Sequence, residues 1–274
     1  MIVFPNCKIN LGLHITAKRE DGYHNIETIF YPVPFQDLLE VIPAAADQQG
    51  LLHQTGLIVE GSPEQNLCIK AYHLLKKDFP SLPAVTTYLH KQIPTGAGLG
   101  GGSADGSFML QLLVRLFDLP VSDEQLSNYA LTLGSDCPFF LINQPVLATG
   151  RGEKMQPVAV NLSGWKLILL LPDLRIATAE AFQGCQPRQP ATSLAHIIQQ
   201  PVAQWRNLLI NQFEETVFMH HPPLARLKQL LYEQGAVYAS MTGTGSTVFG
   251  LFTEQADVDD LGPLSGCRVK SMLL

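Results

Sequence analysis

The chain has 274 residues, long enough for a large core and for about two domains. Charged side chains make up 15% against a usual ~25%. The net charge is −6 and no basic run exceeds Lys76-Lys77, which argues against a nucleic-acid surface. The strongest apolar run, 167–171, is far short of the ~20 residues of a membrane helix.

Met1-Ile2-Val3-Phe4-Pro5 has neither the basic nor the apolar region of a secretory signal. Five scattered cysteines without a C-x-x-C pair suit free thiols in a reducing cytosol rather than a disulfide framework or a zinc site. These features together predict a cytosolic protein with neither nucleic-acid nor membrane partners.

From Cys7 to Ile15 the chain alternates: Ile9, Leu11, Leu13 and Ile15 on one face, Lys8, Asn10, Gly12 and His14 on the other. That pattern predicts a half-buried strand with a polar second face. A turn at Asp21-Gly22 leads through Tyr23-His24 into a second alternating stretch, 25–31. Further strands are predicted at 38–42 and 57–60. A helix follows Asn66 and stops near Pro80, and an alternating strand runs from Val85 to Ile93.

A helical stripe (Met109, Leu112, Leu113, Leu116) begins near Ser103 and ends before Pro120. Ser122-Asp123-Glu124-Gln125 carries a capping box for another helix, closed by Gly134. Gly150-Arg151-Gly152 reads as a hairpin turn. Beyond it come a strand at 166–171, helices, strands at 236–241 and 247–252 around a second Gly-rich turn, then a helix and a strand at 268–273, with an irregular, Pro-rich stretch at 183–201. Strands and helices mix without regular βαβ alternation, so the class is α+β, with domains at 1–157 and 158–274.

Between the 85–93 strand and the next helix lies Pro94-Thr95-Gly96-Ala97-Gly98-Leu99-Gly100-Gly101-Gly102-Ser103-Ala104. Residues without side chains before a helix N-terminus let backbone N–H groups reach an anion, and the helix dipole favours phosphate there. A dinucleotide fold would need a second parallel strand ending in an acid about 20 residues on; the pattern here is helix followed by helix. A Walker loop would need Gly-Lys-Ser/Thr, and a protein kinase H-R-D and D-F-G; the chain has none of them.

This loop resembles the phosphate loop of the galactokinase, homoserine kinase, mevalonate kinase and phosphomevalonate kinase superfamily. Met241-Thr242-Gly243-Thr244-Gly245-Ser246 resembles its C-terminal glycine motif and Pro5-Asn6-Cys7-Lys8-Ile9-Asn10-Leu11 its first motif. The resemblance implies a two-domain fold, an N-terminal ATP-binding domain followed by a ferredoxin-like domain, and a small-molecule kinase using ATP and Mg²⁺. Within the superfamily, Lys8–Leu13, Arg19–Thr28 and Gly134–Phe140 resemble the kinases whose alcohol substrate carries a cytidine diphosphate.

Carried onto this chain, the resemblance makes Lys8 the contact of the reacting hydroxyl and phosphate, and Asp136 the acceptor of the hydroxyl proton. It places Asn10 and Thr178 near the substrate, Tyr23 and His24 on the cytosine ring, Asn66 beside adenine, and Ser103 on phosphate or Mg²⁺. ATP chemistry itself implies Mg²⁺, and no dedicated carboxylate cage is needed when phosphates supply most of its ligands. Plainer readings exist for the same residues: an edge-strand lysine reaching solvent, helix N-caps at Asp136 and Asn66, and packed aromatics after a turn.

The chain departs from the family pattern at Ala104, where many relatives have a second Ser, at Gly106, where Ala favours the helix, and at Ala177, often Pro. Another alcohol kinase of the superfamily, of homoserine or mevalonate type, is the sibling reading. A non-catalytic nucleotide sensor is the reading from a different class, and it would need neither Lys8 nor Asp136.

Overall fold

The computed structural model describes residues 1–44, 51–59, 61–258, 261 and 265–274. Its elements in chain order are β1 (Ile2–Val3), β2 (Asn6–Lys18), β3 (His24–Gln36), β4 (Leu38–Pro43), β5 (Leu52–Gly56), α1 (Leu67–Asp78), β6 (Val85–Lys91), α2 (Gly101–Leu116), α3 (Asp123–Leu133) and α4 (Cys137–Ile142). After these come β7 (Val146–Gly150), β8 (Lys154–Pro157), β9 (Trp165–Leu171), α5 (Thr178–Phe182), α6 (Leu194–Ile197), α7 (Glu214–His220), α8 (Pro222–Glu233), β10 (Tyr238–Met241), β11 (Val248–Thr253) and β12 (Arg268–Leu273). Strands and helices are mixed, so the class is α+β.

Contacts divide the chain into two compact units. The first holds residues 1–7, 35–95 and 100–143, and the second residues 8–34, 96–99 and 144–274. This grouping differs from a single cut at 157, because most of β2 and β3 counts with the C-terminal half.

In the first unit a four-stranded sheet runs β1-β4-β6-β5, with β5 parallel to β6 and the other pairs antiparallel. Leu39, Val41, Val85 and Leu89 of the sheet pack with Ala71 and Leu75 of α1 and with Met109, Leu110, Leu112 and Leu113 of α2. Gly106 has a packing reason: a Cβ there would lie 2.9 Å from Leu67 Cβ, so its absence lets α1 and α2 approach. The capping box of α3 is present in both directions, Ser122 Oγ accepting from Gln125 N and Gln125 Oε1 from Ser122 N.

In the second unit one sheet runs β2-β3-β7-β8 and the other β10-β11-β9-β12. The apolar run of β9 forms an inner strand, paired antiparallel with β11 and β12. Ile168 and Leu170 meet Val248, Phe252 and Met241, and Leu224, Leu227 and Leu231 of α8 join the same core.

Two expectations are corrected. β2 is buried on both faces for its first ten residues, since Lys8, Asn10 and His14 are covered as fully as the apolar set. The strand expected at 57–60 lies instead at β5, placed by its parallel pairing with β6; residue 60 is outside the described residues. Most of the helix expected before β12 also falls outside them. Among the described residues no helix is long and apolar enough to cross a membrane.

Candidate active site

The glycine loop is shaped by positive φ angles at alternate residues, +68° at Gly96, +77° at Gly98 and +71° at Gly100. At Gly98 only glycine fits, because a Cβ would lie 2.0 Å from the carbonyl oxygen of Thr242. Consecutive loop carbonyls are held from the protein side. Thr247 N donates to Ala97 O (3.2 Å), Thr242 Oγ1 and Lys8 Nζ to Gly98 O (3.0 and 3.2 Å), and Lys8 N to Leu99 O (3.0 Å). In a trans peptide the N–H of the next residue points opposite to the carbonyl. The N–H groups of Gly98, Leu99 and Gly100 therefore face away from those partners, as an anion cradle requires.

The β10–β11 turn, residues 242–247, is thus the floor of the cradle's first half. Pro94 and Thr95 lead in from β6. Gly100 occupies the N-cap of α2, and Gly101 to Ala104 form its first turn, with Ala104 N donating to Gly100 O at 2.9 Å. The α2 dipole adds partial positive charge at Gly101, Gly102 and Ser103.

Lys8 does not reach solvent. It is 3% exposed, its Nζ donates to Asn10 Oδ1 at 2.6 Å and lies 4.8 Å from the centre of the Phe30 ring. Asn10 is locked in turn. Its N donates to Thr242 Oγ1 (3.0 Å) and its Nδ2 to Thr28 Oγ1 (2.8 Å), which itself donates to Gly12 O (2.6 Å). A buried ammonium with fixed partners has little rotamer freedom to lose on meeting a charged group. Lys8, Asn10 and the Gly98 carbonyl form one constellation, and Thr28 and Thr242, absent from the sequence-based set, complete it.

The first unit carries the other candidates. Asp136 occupies the N-cap of α4, with φ −83° and ψ −16°, but its carboxylate makes no capping bond to that helix. Ser107 Oγ donates to Ser103 O and Cys137 O, both at 2.8 Å, tying α2 to the start of α4 beside Asp136. Asn66 is the N-cap of α1, its Oδ1 accepting from Cys68 N at 2.9 Å. It also lines a 260 Å³ pocket with Leu52, Gln54, Val59, Pro63 and Gln65.

Sequence reasoning missed a buried ionic triad in this unit. Lys91 at the end of β6 donates to Asp37 and, at 2.7 Å, to Asp105 on α2. Asp37 Oδ1 accepts from the backbone of Gln92 (2.6 Å) and Ile93 (2.9 Å), the residues that lead into the loop. A lysine closing an alternating strand and an aspartate inside an apolar helical stripe were the available signals.

In the second unit Tyr23 is 57% exposed after the Asp21-Gly22 turn, with the Arg151 guanidinium 5.1 Å from its ring centre. His24 stacks on Phe182 at 4.6 Å and 13°, and Phe182 meets Phe213 edge-on. Burial, then the Lys18 charge, holds the His24 imidazole below its ordinary pKa, so the neutral ring is favoured. Thr178 opens the short helix α5 that ends at Phe182, which places the two one turn apart. Phe182 was not among the predicted residues; its i+4 spacing from Thr178 was the signal.

Two family models match the chain: GHMP kinases N terminal domain over residues 66–144 and GHMP kinases C terminal over 198–262. A Bacteroides fragilis protein named 4-diphosphocytidyl-2-C-methyl-D-erythritol kinase is 51% identical over 94% of both chains. A Parabacteroides distasonis protein of the same name is 47% identical over 97% of both. The crystal structure of a 4-(cytidine 5'-diphospho)-2C-methyl-D-erythritol kinase superposes with TM-score 0.81 at 30% identity, covering 99% of this chain and 98% of that one. The Methanococcus jannaschii mevalonate kinase shares the fold, with TM-score 0.71 at 14% identity over 99% of this chain and 96% of the other.

Proposed function

The chain belongs to the 4-diphosphocytidyl-2-C-methyl-D-erythritol kinases of the GHMP kinase family, and we propose the following roles for its residues in that activity. It is an ATP-dependent kinase, and the reaction is transfer of the γ-phosphoryl of ATP to the 2-hydroxyl of 4-diphosphocytidyl-2-C-methyl-D-erythritol. The bond from γ-phosphorus to its bridging oxygen breaks, a bond to the substrate oxygen forms, and ADP leaves. The hydroxyl proton passes to the Asp136 carboxylate, and the Lys8 ammonium offsets the charge that develops on oxygen.

The observation that carries this reading is the fixed Lys8 ammonium, bonded to Asn10 Oδ1 and to the carbonyl of Gly98 inside the glycine loop. One side chain thereby links the phosphate loop to the strand that carries Asn10. In a phosphoryl transfer the protein's main contributions are position and charge, and a preorganised cation supplies both.

The N–H groups of the 96–104 loop and the first turn of α2 would cradle the phosphates, and the pocket beside Asn66 would take adenine. Mg²⁺ bound with ATP would neutralise phosphate charge, with Ser103 the one protein hydroxyl proposed as a contact. Exposed Tyr23 offers a ring face for cytosine, and neutral His24 an acceptor for its amino group. We assign the enzyme to the cytoplasm, in keeping with its five cysteines, none of which forms a disulfide. The test is turnover of ATP with the cytidyl substrate, the product being identified by ³¹P NMR as a monoester at the 2-position.

A further inference from the structure

The cradle at Gly96–Leu99 supplies N–H dipoles, whereas a nucleotide's phosphates bring full charges. Arg175 lies against the same turn. A Cβ placed on Gly96 would sit 2.9 Å from Arg175 Nε, 3.0 Å from its Cγ and 3.3 Å from its Cδ. The arginine stem therefore fills the space that a side chain at residue 96 would occupy, and Gly96, at φ +68°, leaves that space open.

The backbone on either side of Arg175 is pinned to the second glycine turn. Leu174 O accepts from Ser246 Oγ, and Ile176 is 3% exposed with its Cδ1 3.2 Å from the Cβ position of Gly245. Arg175 itself is exposed. The β9–α5 connection thus has two anchored residues flanking one arginine whose stem lies against Gly96 of the loop.

We propose that Arg175 is a phosphate-binding residue of this kinase, its guanidinium donating to a phosphate oxygen at the Gly96–Leu99 turn. The proposal rests on the reading of the loop given above and adds a contact that none of the chain's motifs assigns. A guanidinium keeps its charge at any working pH and presents paired donors that match a phosphate's oxygens. Two phosphate sources share this chemistry: the triphosphate of ATP and the diphosphate of the cytidyl substrate.

Arg175→Met keeps the stem over Gly96 and removes the charge, and Arg175→Lys restores a cation. In the full-length protein the expected result is a ten- to hundredfold rise in one KM for Arg175→Met, the range set by losing a hydrogen bond to a charged group, with partial recovery in Arg175→Lys. A rise in the KM for ATP assigns the contact to the triphosphate, and a rise in the KM for the cytidyl substrate assigns it to the diphosphate.

Both KM values within twofold of wild type, in an Arg175→Met protein of wild-type Tm, would overturn the proposal. If Arg175→Met lowers the Tm, Arg175→Gln is read in its place. ATP binding by calorimetry separates this inference from the functional one. Should the wild type bind ATP and phosphorylate no alcohol, the functional reading falls, and Arg175 is judged by whether Arg175→Met weakens ATP binding tenfold or leaves it unchanged.

Discussion

Asp105→Asn turns the buried triad into a measurement. Asp105 is 3% exposed; its Oδ2 accepts from Lys91 Nζ at 2.7 Å, and its Oδ1 has no hydrogen-bond partner. Burial pushes its carboxyl from an ordinary 3.8 up to about 7, the Lys91 charge opposing the rise and the Asp37 charge adding to it. The groups facing it are Lys91 from β6, Asp37 from the β3–β4 connection, and the Cys68 thiol of α1, which burial raises well above its usual value and so keeps neutral.

The folded chain therefore holds a proton between pH 3.8 and 7 that the unfolded chain releases. This stabilising contribution is complete below pH 3.8 and is lost as pH rises through about 7. At 1.36 kcal/mol per pH unit, moving from pH 5.5 to 8 should cost the wild type about 2 kcal/mol relative to Asp105→Asn, which does not titrate. Urea unfolding of both proteins at the two pH values, compared as the change in their stability difference, reads this directly. Stability curves that run parallel within about 0.5 kcal/mol, or a wild type that gains on the variant as pH rises, would refute the reasoning.

Lys8→Met should lower kcat by about 10²–10³-fold with little change in the KM for ATP, since it removes charge stabilisation from the transition state. A kcat within threefold of wild type contradicts that role, and full activity in Asp136→Asn would likewise remove Asp136 as proton acceptor. Tyr23→Ala should raise the KM for the cytidyl substrate about tenfold, the scale of one base–aromatic stack, and leave the KM for ATP alone. Equal changes in the two KM values would point to a packing role for Tyr23.

Local chemistry in the sequence was a good guide to local structure. The glycine loop, the capping box of Ser122 and Gln125 and the alternation of β2 depend on neighbours a few residues apart, and each was legible. What escaped depends on distant partners. Asp37 meets Lys91 across 54 residues, and Thr242 meets Gly98 across 144. His24 stacks on Phe182 from another part of the chain, and Arg175 of the β9–α5 connection packs against Gly96.

The polar face of β2 was read as exposed because alternation alone cannot show what covers a face. Its burial is the more informative fact, since lysine and asparagine are tolerated there only with their partners in place. β5 was misplaced by a few residues because its pairing with β6, rather than its own composition, decides where it lies.

The most direct test of the account is kcat/KM for ATP-dependent phosphorylation of three alcohols: 4-diphosphocytidyl-2-C-methyl-D-erythritol, homoserine and mevalonate. The account predicts turnover of the first, with phosphate at its 2-hydroxyl, and values at least a hundredfold lower for the other two. Preference for homoserine or mevalonate, or tight ATP binding without turnover of any of the three, would contradict it.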